Sequence, residues 1–207
     1  MQILAYGEDA LTLWALRNKL AHILHVAEDS SDLSRCRAFF RPSFGRSGGG
    51  QSSQFGEFDF ILLADRCLYL GESKWDKSSE KIRDGVLLLR DEQLLRHDLF
   101  RFYVEEWAFG RYSTWPEFEK QANNTLMQRG ITKPVAPENS LLATNLQTVL
   151  AVIKQHYTAL PVIKNVLLFL YNANSRPQLP KRAGKDFLVV PIDYSQGVSQ
   201  NFVEIGV

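Results

Sequence analysis

The sequence predicts a mixed α/β fold in which helices cover a central β-sheet. Apolar residues recur at helical spacing over residues 8–24, which predicts an amphipathic first helix. Residues 36–41 and 55–76 are short apolar stretches bounded by turn residues, and together they indicate three strands. Continuous apolar runs at residues 165–171 and 187–192 are typical of strands buried on both faces. The predicted order is therefore helix, three strands, helices and further strands.

Two further helices are expected between the two groups of strands. A long helical stretch begins near Asp91 and continues to about Phe109, and Asn139 or Ser140 caps the next clear helix. The residues between 110 and 137 look irregular and polar. Residues 202–205 suit a short edge strand at the end of the chain.

Length and composition suit one globular domain, residues 1–207, with a helical insertion around residues 110–160. The chain has 24 Lys and Arg against 23 Asp and Glu, and this net charge of +1 neither demands nor excludes a polyanionic partner. Cys36 and Cys67 match no metal-binding spacing, so we expect buried free thiols.

The sequence also predicts a soluble, cytoplasmic protein without a membrane partner. The N-terminal residues carry no basic leader, and acidic residues interrupt them at Glu8 and Asp9, so we expect no signal peptide. The longest apolar run, residues 166–171, is far too short to span a bilayer.

Four charged residues, Glu57, Asp59, Glu72 and Lys74, alternate with apolar or small residues in the two strand segments of the hairpin at residues 55–76. Strand side chains alternate between faces, and a tight turn at Asp65 and Arg66 places Asp59 opposite Glu72. The same register places Glu57 opposite Lys74. A four-residue loop gives the same pairing, whereas a three-residue loop breaks it.

Two opposed carboxylates on buried strands need either a shared proton or a cation. Directly opposed Cβ atoms lie roughly 4.5 to 5.5 Å apart, where like charges repel. Mg²⁺ typically takes one or two carboxylates with water and substrate phosphate, and Lys74 adds a positive charge beside Asp59 and Glu72. This set suits in-line attack of water on a phosphodiester. The alternative is a surface Glu–Lys pair that aids solubility, but the neighbouring residues are apolar on both strand faces.

The arrangement of Asp59 and the run Glu72, Ser73 and Lys74 resembles the PD-(D/E)XK nuclease superfamily, although Phe58 stands where that name has Pro. The resemblance implies a restriction-endonuclease-like core with the order αβββαβ. It further implies that Asp59 and Glu72 bind the catalytic metal with the Ser73 backbone carbonyl. Lys74 then positions and activates the attacking water. The expected cofactor is Mg²⁺, with Mn²⁺ as its substitute.

The same resemblance suggests accessory catalytic residues. Family members often supply an acid from the first helix, and Glu8 stands at that position, where it equally suits the positive helix N-terminus. Some members carry a Gln on the helix after the Lys, which Gln93 matches, but His97 stands where Tyr is usual. Gln93 and His97 share one helical face with Arg96 adjacent, so Arg96 and His97 are candidates for nucleic-acid contacts.

A glycine-rich loop at residues 45–53 leads into the strand that bears Asp59. It is no phosphate-binding P-loop, because no Gly-Lys-Ser/Thr follows it. Arg41 and Arg46 flank or begin this loop, so we expect both to border the active site and to contact DNA phosphates. The alternative is an ordinary connecting loop.

The function that these residues favour is that of a Mg²⁺-dependent nuclease acting on DNA. The alternative is a catalytically inactive nuclease-fold subunit that binds DNA or scaffolds a larger complex. The sequence shows no helix-turn-helix, zinc site or ATPase loop, so a separate specificity or motor subunit is a reasonable partner. A homodimer is also compatible with the sequence.

Overall fold

The computed structural model describes residues 3–44, 56–77, 82–131, 133–196, 198–199 and 202–205. The chain divides into two compact units. The first comprises Met1–Arg41, Phe58–Leu89 and Ile163–Val207, and the second comprises Pro42–Glu57 and Arg90–Val162. Residues 110–160, where the sequence suggests an insertion, fall within the second unit.

Five helices and eleven strands are present in the described residues. The helices are α1 (Glu8–Asn18), α2 (Leu20–Val26), α3 (Asp91–Tyr103), α4 (Trp115–Gln128) and α5 (Leu141–His156). The strands are β1 (Ile3–Ala5), β2 (Arg37–Phe40), β3 (Phe60–Leu63), β4 (Cys67–Trp75), β5 (Ile82–Arg83), β6 (Val86–Leu87), β7 (Val162–Tyr171), β8 (Arg182–Ala183), β9 (Phe187–Asp193), β10 (Val198–Ser199) and β11 (Phe202–Ile205).

An eight-stranded mixed sheet in the order β2-β3-β4-β7-β9-β8-β6-β5 confirms the predicted α/β class. Strands β2, β3 and β4 pair antiparallel in sequence, and β7 pairs parallel with β9. A separate three-stranded sheet has the order β1-β11-β10. The prediction of an edge strand at residues 202–205 is wrong in one respect, because β11 is the central strand of this small sheet.

The β3–β4 hairpin has the register that the sequence predicts. Phe60 faces Gly71 and Leu63 faces Leu68 in the antiparallel ladder. The amide of Ala64 donates to the carbonyl of Cys67 at 3.0 Å, so Asp65 and Arg66 form the tight turn. No bulge interrupts the described pairs of this ladder. The ladder ends at Phe60 and Gly71, and the same register continued by one step would set Asp59 opposite Glu72.

The first unit's core lies between one face of the sheet and the helices α1 and α2. The hairpin contributes every second residue to this core, as strand alternation requires. The core residues are Ala10, Leu11, Ala15, Leu16, Ile23, Leu24, Ala27, Phe60, Leu62, Ala64, Tyr69, Val166, Leu168, Leu170, Val190, Ile192, Tyr194 and Val203. The intervening positions, including Asp59 and Glu72, therefore point to the other face of the sheet.

The helices follow the sequence pattern with two differences. The predicted first helix divides in two at Lys19, which has non-helical dihedral angles. The prediction that residues 110–137 are irregular is wrong, because α4 begins there with the Thr114 hydroxyl accepting the Glu117 amide. The side chains of α4 that are buried recur at helical spacing, and they are Trp115, Phe118, Ala122 and Leu126. Its many polar residues obscure this stripe in the sequence.

The other helical predictions agree closely with the structure. Helix α3 ends at Tyr103 and continues as one π-helical turn at Val104–Ala108. The Ser140 hydroxyl accepts the amide of Ala143 at the start of α5, which confirms the predicted cap.

Two smaller differences concern burial. Strand β7 is buried on both faces over most of its length, whereas β9 alternates between buried and half-buried residues. Cys36 and Cys67 are free thiols, as expected, but both are half-buried rather than buried. Among the described residues, no helix is long and apolar enough to cross a membrane.

The pairing of Phe60 with Gly71 depends on the absence of a side chain at position 71. A Cβ atom there would lie inside the van der Waals radius of the buried Phe60 ring. We therefore expect Gly71→Ala to lower the free energy of unfolding by about 1 to 3 kcal/mol, because the ring must leave its position. Urea denaturation measures this loss.

A double-mutant cycle with Phe60→Leu identifies the cause. If the ring is responsible, Gly71→Ala should be less destabilising in the Phe60→Leu background than in the wild type. Additive losses would show that the glycine is needed for another reason.

Candidate active site

The candidate site lies where the β3–β4 hairpin opens, away from its turn. Asp59 directly precedes β3, and Glu72 and Lys74 stand in the second half of β4. The Ser73 amide donates a hydrogen bond of 2.7 Å to Asp59 Oδ2, which holds this carboxylate against the neighbouring strand. Glu72 is only 1% exposed and Lys74 9% exposed. The structure thus brings three predicted catalytic residues together.

The surroundings of Asp59 disfavour its charged form. The pKa of Asp59 is raised to about 7, first because burial disfavours its charged form and second because the Glu72 carboxylate repels it. The Ser73 hydrogen bond and the positive charge of Lys74 act in the opposite direction but do not cancel these effects. Glu8 adds a further negative charge. The site consequently favours an added proton or cation.

Glu8 joins the start of α1 to the end of β4. Its Oε2 accepts the Trp75 amide at 2.7 Å, and its Oε1 lies 3.8 Å from the ammonium nitrogen of Lys74. Glu8 is also the first residue of α1, where a negative charge is favourable. Both roles considered for Glu8 from the sequence are therefore compatible with its position beside Lys74.

The donor atoms at this site fit a hard divalent cation. Within the described part of the chain, Asp59 Oδ1 has no hydrogen bond or ion pair. The amide and carbonyl of a strand residue point to the same neighbouring strand, so the Ser73 carbonyl faces the β3 side on which Asp59 lies. No group of three or more His, Cys, Asp or Glu side chains suited to a metal occurs in the described ranges. Two carboxylates and one carbonyl nevertheless match a Mg²⁺ site that water completes.

Arg41 lies beside Asp59, but its guanidinium forms an ion pair with a different acidic residue, Asp9. The Arg41 amide donates to the Asp59 carbonyl at 3.0 Å, and its guanidinium pairs with Asp9 on α1. Arg41 therefore borders the site, and its contact with DNA phosphates stays a prediction. Arg46 and the glycine loop at residues 45–53 lie outside the described residues.

The remaining predicted site residues belong to the second unit. Gln93 Oε1 accepts the Arg90 amide at 3.1 Å, which is a helix-capping contact at the start of α3. Arg96 and His97 are buried, His97 at 1% exposure, and this burial favours structural roles for both. Glu57 lies outside β3 and forms an isolated bridge with Ser43, so the β3–β4 ladder does not extend to a Glu57–Lys74 pair. The catalytic role of Gln93 and the DNA contacts of Arg96 and His97 stay predictions.

Sequence reasoning missed a hydrogen-bonded brace behind the site. The Trp75 indole N–H donates to the Tyr194 hydroxyl at 2.7 Å, and that hydroxyl donates to Asp76 Oδ1 at 2.8 Å. Asp76 Oδ2 accepts the Asn172 amide at 2.9 Å. Burial, above all, raises the pKa of Tyr194 to about 12, so its hydroxyl keeps its proton. The only signal in the sequence is an aromatic residue directly after Lys74.

The chain matches no protein-family model, no curated protein and no solved structure. The geometry at the open end of the β3–β4 hairpin is therefore the basis for proposing a function. Its central feature is a pair of acidic residues, Asp59 and Glu72, with Lys74 beside them.

We expect Asp59→Asn to stabilise the metal-free protein at neutral and alkaline pH by about 1 to 4 kcal/mol, where the lower figure is the cross-strand repulsion alone and the upper figure is the full pKa shift. Asn keeps an acceptor for the Ser73 amide but removes the repulsion from Glu72. The pKa of Asp59 is near 3.9 in the unfolded chain and is raised to about 7 in the folded protein. The folded wild type therefore binds an extra proton between these values, and it loses stability relative to the mutant as pH rises from about 4 to 7.

Urea denaturation at several pH values in EDTA measures this difference. The advantage of Asp59→Asn should be absent near pH 4 and complete above pH 7. Asp98→Asn, at an exposed position on α3, should show no such trend. A pH-independent difference between the wild type and Asp59→Asn would contradict the assigned repulsion.

Proposed function

We propose that this protein is a Mg²⁺-dependent nuclease that hydrolyses DNA phosphodiester bonds. The observation that carries this proposal is the position of Asp59, held by the Ser73 amide, next to the buried Glu72 and Lys74. A protein without catalysis has no need for two repelling carboxylates inside a sheet, because such charges destabilise the fold. A bound catalytic cation would offset the repulsion between the two carboxylates, which would then serve as its ligands.

The chain's residues have separate roles in this reaction. Asp59, Glu72 and the Ser73 carbonyl would hold Mg²⁺, which supplies positive charge to the phosphate when bound. Lys74 orients the attacking water from the side opposite the leaving group. Water oxygen bonds to phosphorus, the bond from phosphorus to the leaving sugar oxygen breaks, and a proton passes to that oxygen. Glu8 holds the Lys74 ammonium in place through their 3.8 Å contact.

The order of elements supports a restriction-endonuclease-like core. Helix α1 precedes the adjacent strands β2, β3 and β4, then helices follow, and β7 joins the sheet beside β4. This is the order αβββαβ that the PD-(D/E)XK resemblance implies. The further strands β9, β8, β6 and β5 extend the sheet beyond that core.

The alternative function is that of an inactive DNA-binding or scaffolding subunit. One observation favours it, since the Lys74 ammonium already has an acidic partner in Glu8 and so has a structural use. In either case DNA is the proposed ligand, and a separate specificity or motor subunit is the proposed protein partner. The two functions differ in whether purified protein cleaves DNA in the presence of Mg²⁺ or Mn²⁺.

Substitution of the three central residues tests catalysis. We expect Asp59→Asn, Glu72→Gln and Lys74→Ala each to lower cleavage at least about a hundredfold, since each removes a charge aimed at the reaction. Lys74→Arg should fail as well, because a planar guanidinium does not replace a compact ammonium. The assay follows linear, circular, single-stranded and branched DNA with Mg²⁺ or Mn²⁺.

Ser73→Ala is a matched control within the same strand. It keeps the backbone carbonyl that we assign to the metal and removes a buried hydroxyl that has no hydrogen-bond partner in the described residues. Cleavage by this variant should stay within a few-fold of wild type. Wild-type activity in any of the three charge variants would contradict the assigned roles.

Metal binding can be followed without cleavage. Mg²⁺ or Mn²⁺ should raise the melting temperature of the wild type in a concentration-dependent way, because a ligand that binds only the folded state stabilises it. Asp59→Asn should lose most of this response. Melts with EDTA and then across a Mn²⁺ series at fixed ionic strength, with and without a non-cleavable DNA analogue, measure the effect. An equal response in both proteins would mean that Asp59 is no ligand.

A further inference from the structure

A cluster of three aromatic rings, Tyr6, Trp75 and Phe202, lies on the surface of the first unit. We refer to these rings as the aromatic platform. The centroids of Tyr6 and Trp75 are 5.6 Å apart in an edge-to-face arrangement, and those of Tyr6 and Phe202 are 5.8 Å apart. Tyr6 is 58% exposed and Phe202 is 43% exposed. The folded protein thus leaves much of two contacting aromatic side chains in water.

The platform is rigid on its inner side. Trp75 is half-buried, and its indole N–H is fixed by the Tyr194 hydroxyl. The ammonium of Lys77 lies 5.2 Å from the centroid of the Trp75 ring, a cation–π distance. Rings held in this way lose little conformational freedom when a flat ligand stacks on them.

The platform adjoins the candidate active site through the backbone. Trp75 directly follows Lys74, and Tyr6 precedes Glu8 by two residues. The hydrogen bond from the Trp75 amide to Glu8 Oε2 joins these two segments at 2.7 Å. Trp75 packs on the face that α1 and α2 cover, whereas Lys74 points to the opposite face, so the platform and the carboxylates lie on the two sides of the end of β4.

We propose that the aromatic platform stacks unpaired bases of a substrate strand that passes around the end of β4, with Lys77 facing an adjacent phosphate. This inference rests on the proposed nuclease function and adds its substrate class, which is single-stranded DNA or a duplex with unpaired ends. Stacking on aromatic side chains tolerates every base, because each base has a π-face. Bases within an intact duplex already stack on one another and do not offer that face.

Charge and size favour this ligand over a protein partner. The Lys77 ammonium lies 5.2 Å from the centroid of the Trp75 ring, and a positive charge at this place suits a polyanion. Three partly exposed rings offer far less than the roughly 800 Å² per partner of a stable protein interface, since each aromatic side chain has about 150 to 250 Å². A stacked base needs only one or two ring faces.

Binding to labelled oligonucleotides in EDTA tests the proposal without cleavage. The probes are a 15-mer of thymidine (dT15), an abasic strand of the same length, and a blunt duplex, at one ionic strength. Tyr6→Ala and Phe202→Ala should each bind dT15 about tenfold more weakly than wild type. Neither should lose affinity for the abasic strand or the duplex, because these probes present no unpaired base.

Two substitutions at the same position separate stacking from simple apolar contact. Tyr6→Phe keeps the aromatic ring and should keep wild-type affinity for dT15, whereas Tyr6→Leu should behave as Tyr6→Ala. Leu33→Ala is the control, since Leu33 is an exposed apolar residue (46%) near the Asp65 turn at the other end of the hairpin. It should bind every probe as wild type does.

The outcomes distinguish this inference from the nuclease proposal. Loss of dT15 binding in Tyr6→Ala supports the platform even if wild type cleaves no DNA, in which case only the nuclease proposal fails. Equal binding of dT15 by wild type, Tyr6→Ala and Tyr6→Leu overturns the platform even if wild type cleaves DNA. The exposed rings would then be assigned to a protein partner. Equal losses on dT15 and on the abasic strand would also overturn it, since they would indicate a phosphate contact alone.

Discussion

The hydrogen bond from the Ser73 amide to the Asp59 carboxylate is the contact on which the candidate site depends. It holds an acid that lies just outside β3 against the strand that bears Glu72 and Lys74. The contact in turn requires the register of the hairpin, because a slip of one residue would move Glu72 and Lys74 to the face that packs on α1 and α2. The two-residue turn at Asp65 and Arg66 therefore determines chemistry at the other end of the hairpin.

The same contact keeps the Asp59 carboxylate at a position where the Glu72 charge repels it. The raised pKa of Asp59 reflects burial and the charge of Glu72, and Lys74 compensates only in part. Sites that bind a charged ligand commonly have unfavourable electrostatic energy in the free protein, and ligand binding relieves it. In the proposed nuclease, the cation supplies the positive charge that offsets this repulsion and then attracts the substrate phosphate. Stability and function thus oppose each other at Asp59, whereas Gly71 serves both by keeping the Phe60 ring in its place.

The parts of the molecule that the sequence predicts well are those that depend on local rules. Strand alternation and a short turn are sufficient to give the register that pairs Phe60 with Gly71, and Ser140 is recognisable as a cap because its hydroxyl satisfies a nearby amide. The sequence pattern obscures α4, whose four buried residues stand among many polar ones. Local rules do not predict tertiary contacts between residues that are far apart in the sequence. Nothing local indicates that Tyr194 binds Trp75, since 119 positions separate them, or that β11 is flanked by β1 and β10.

The brace of Trp75, Tyr194 and Asp76 has a consequence for how this region opens in the native state. It links the end of β4 to Tyr194 after β9 and to the amide of Asn172 after β7, so strand ends distant in sequence share one set of hydrogen bonds. Strand ends usually fray independently, and their amides then exchange hydrogen with solvent through small local openings. Here the end of β4 cannot detach without breaking bonds to the residues that follow β7 and β9. The Asp76 amide donates to the Leu170 carbonyl of β7 at 2.8 Å, so its exchange reports a cooperative opening of this part of the sheet, in contrast to the mobile loops that form many binding sites.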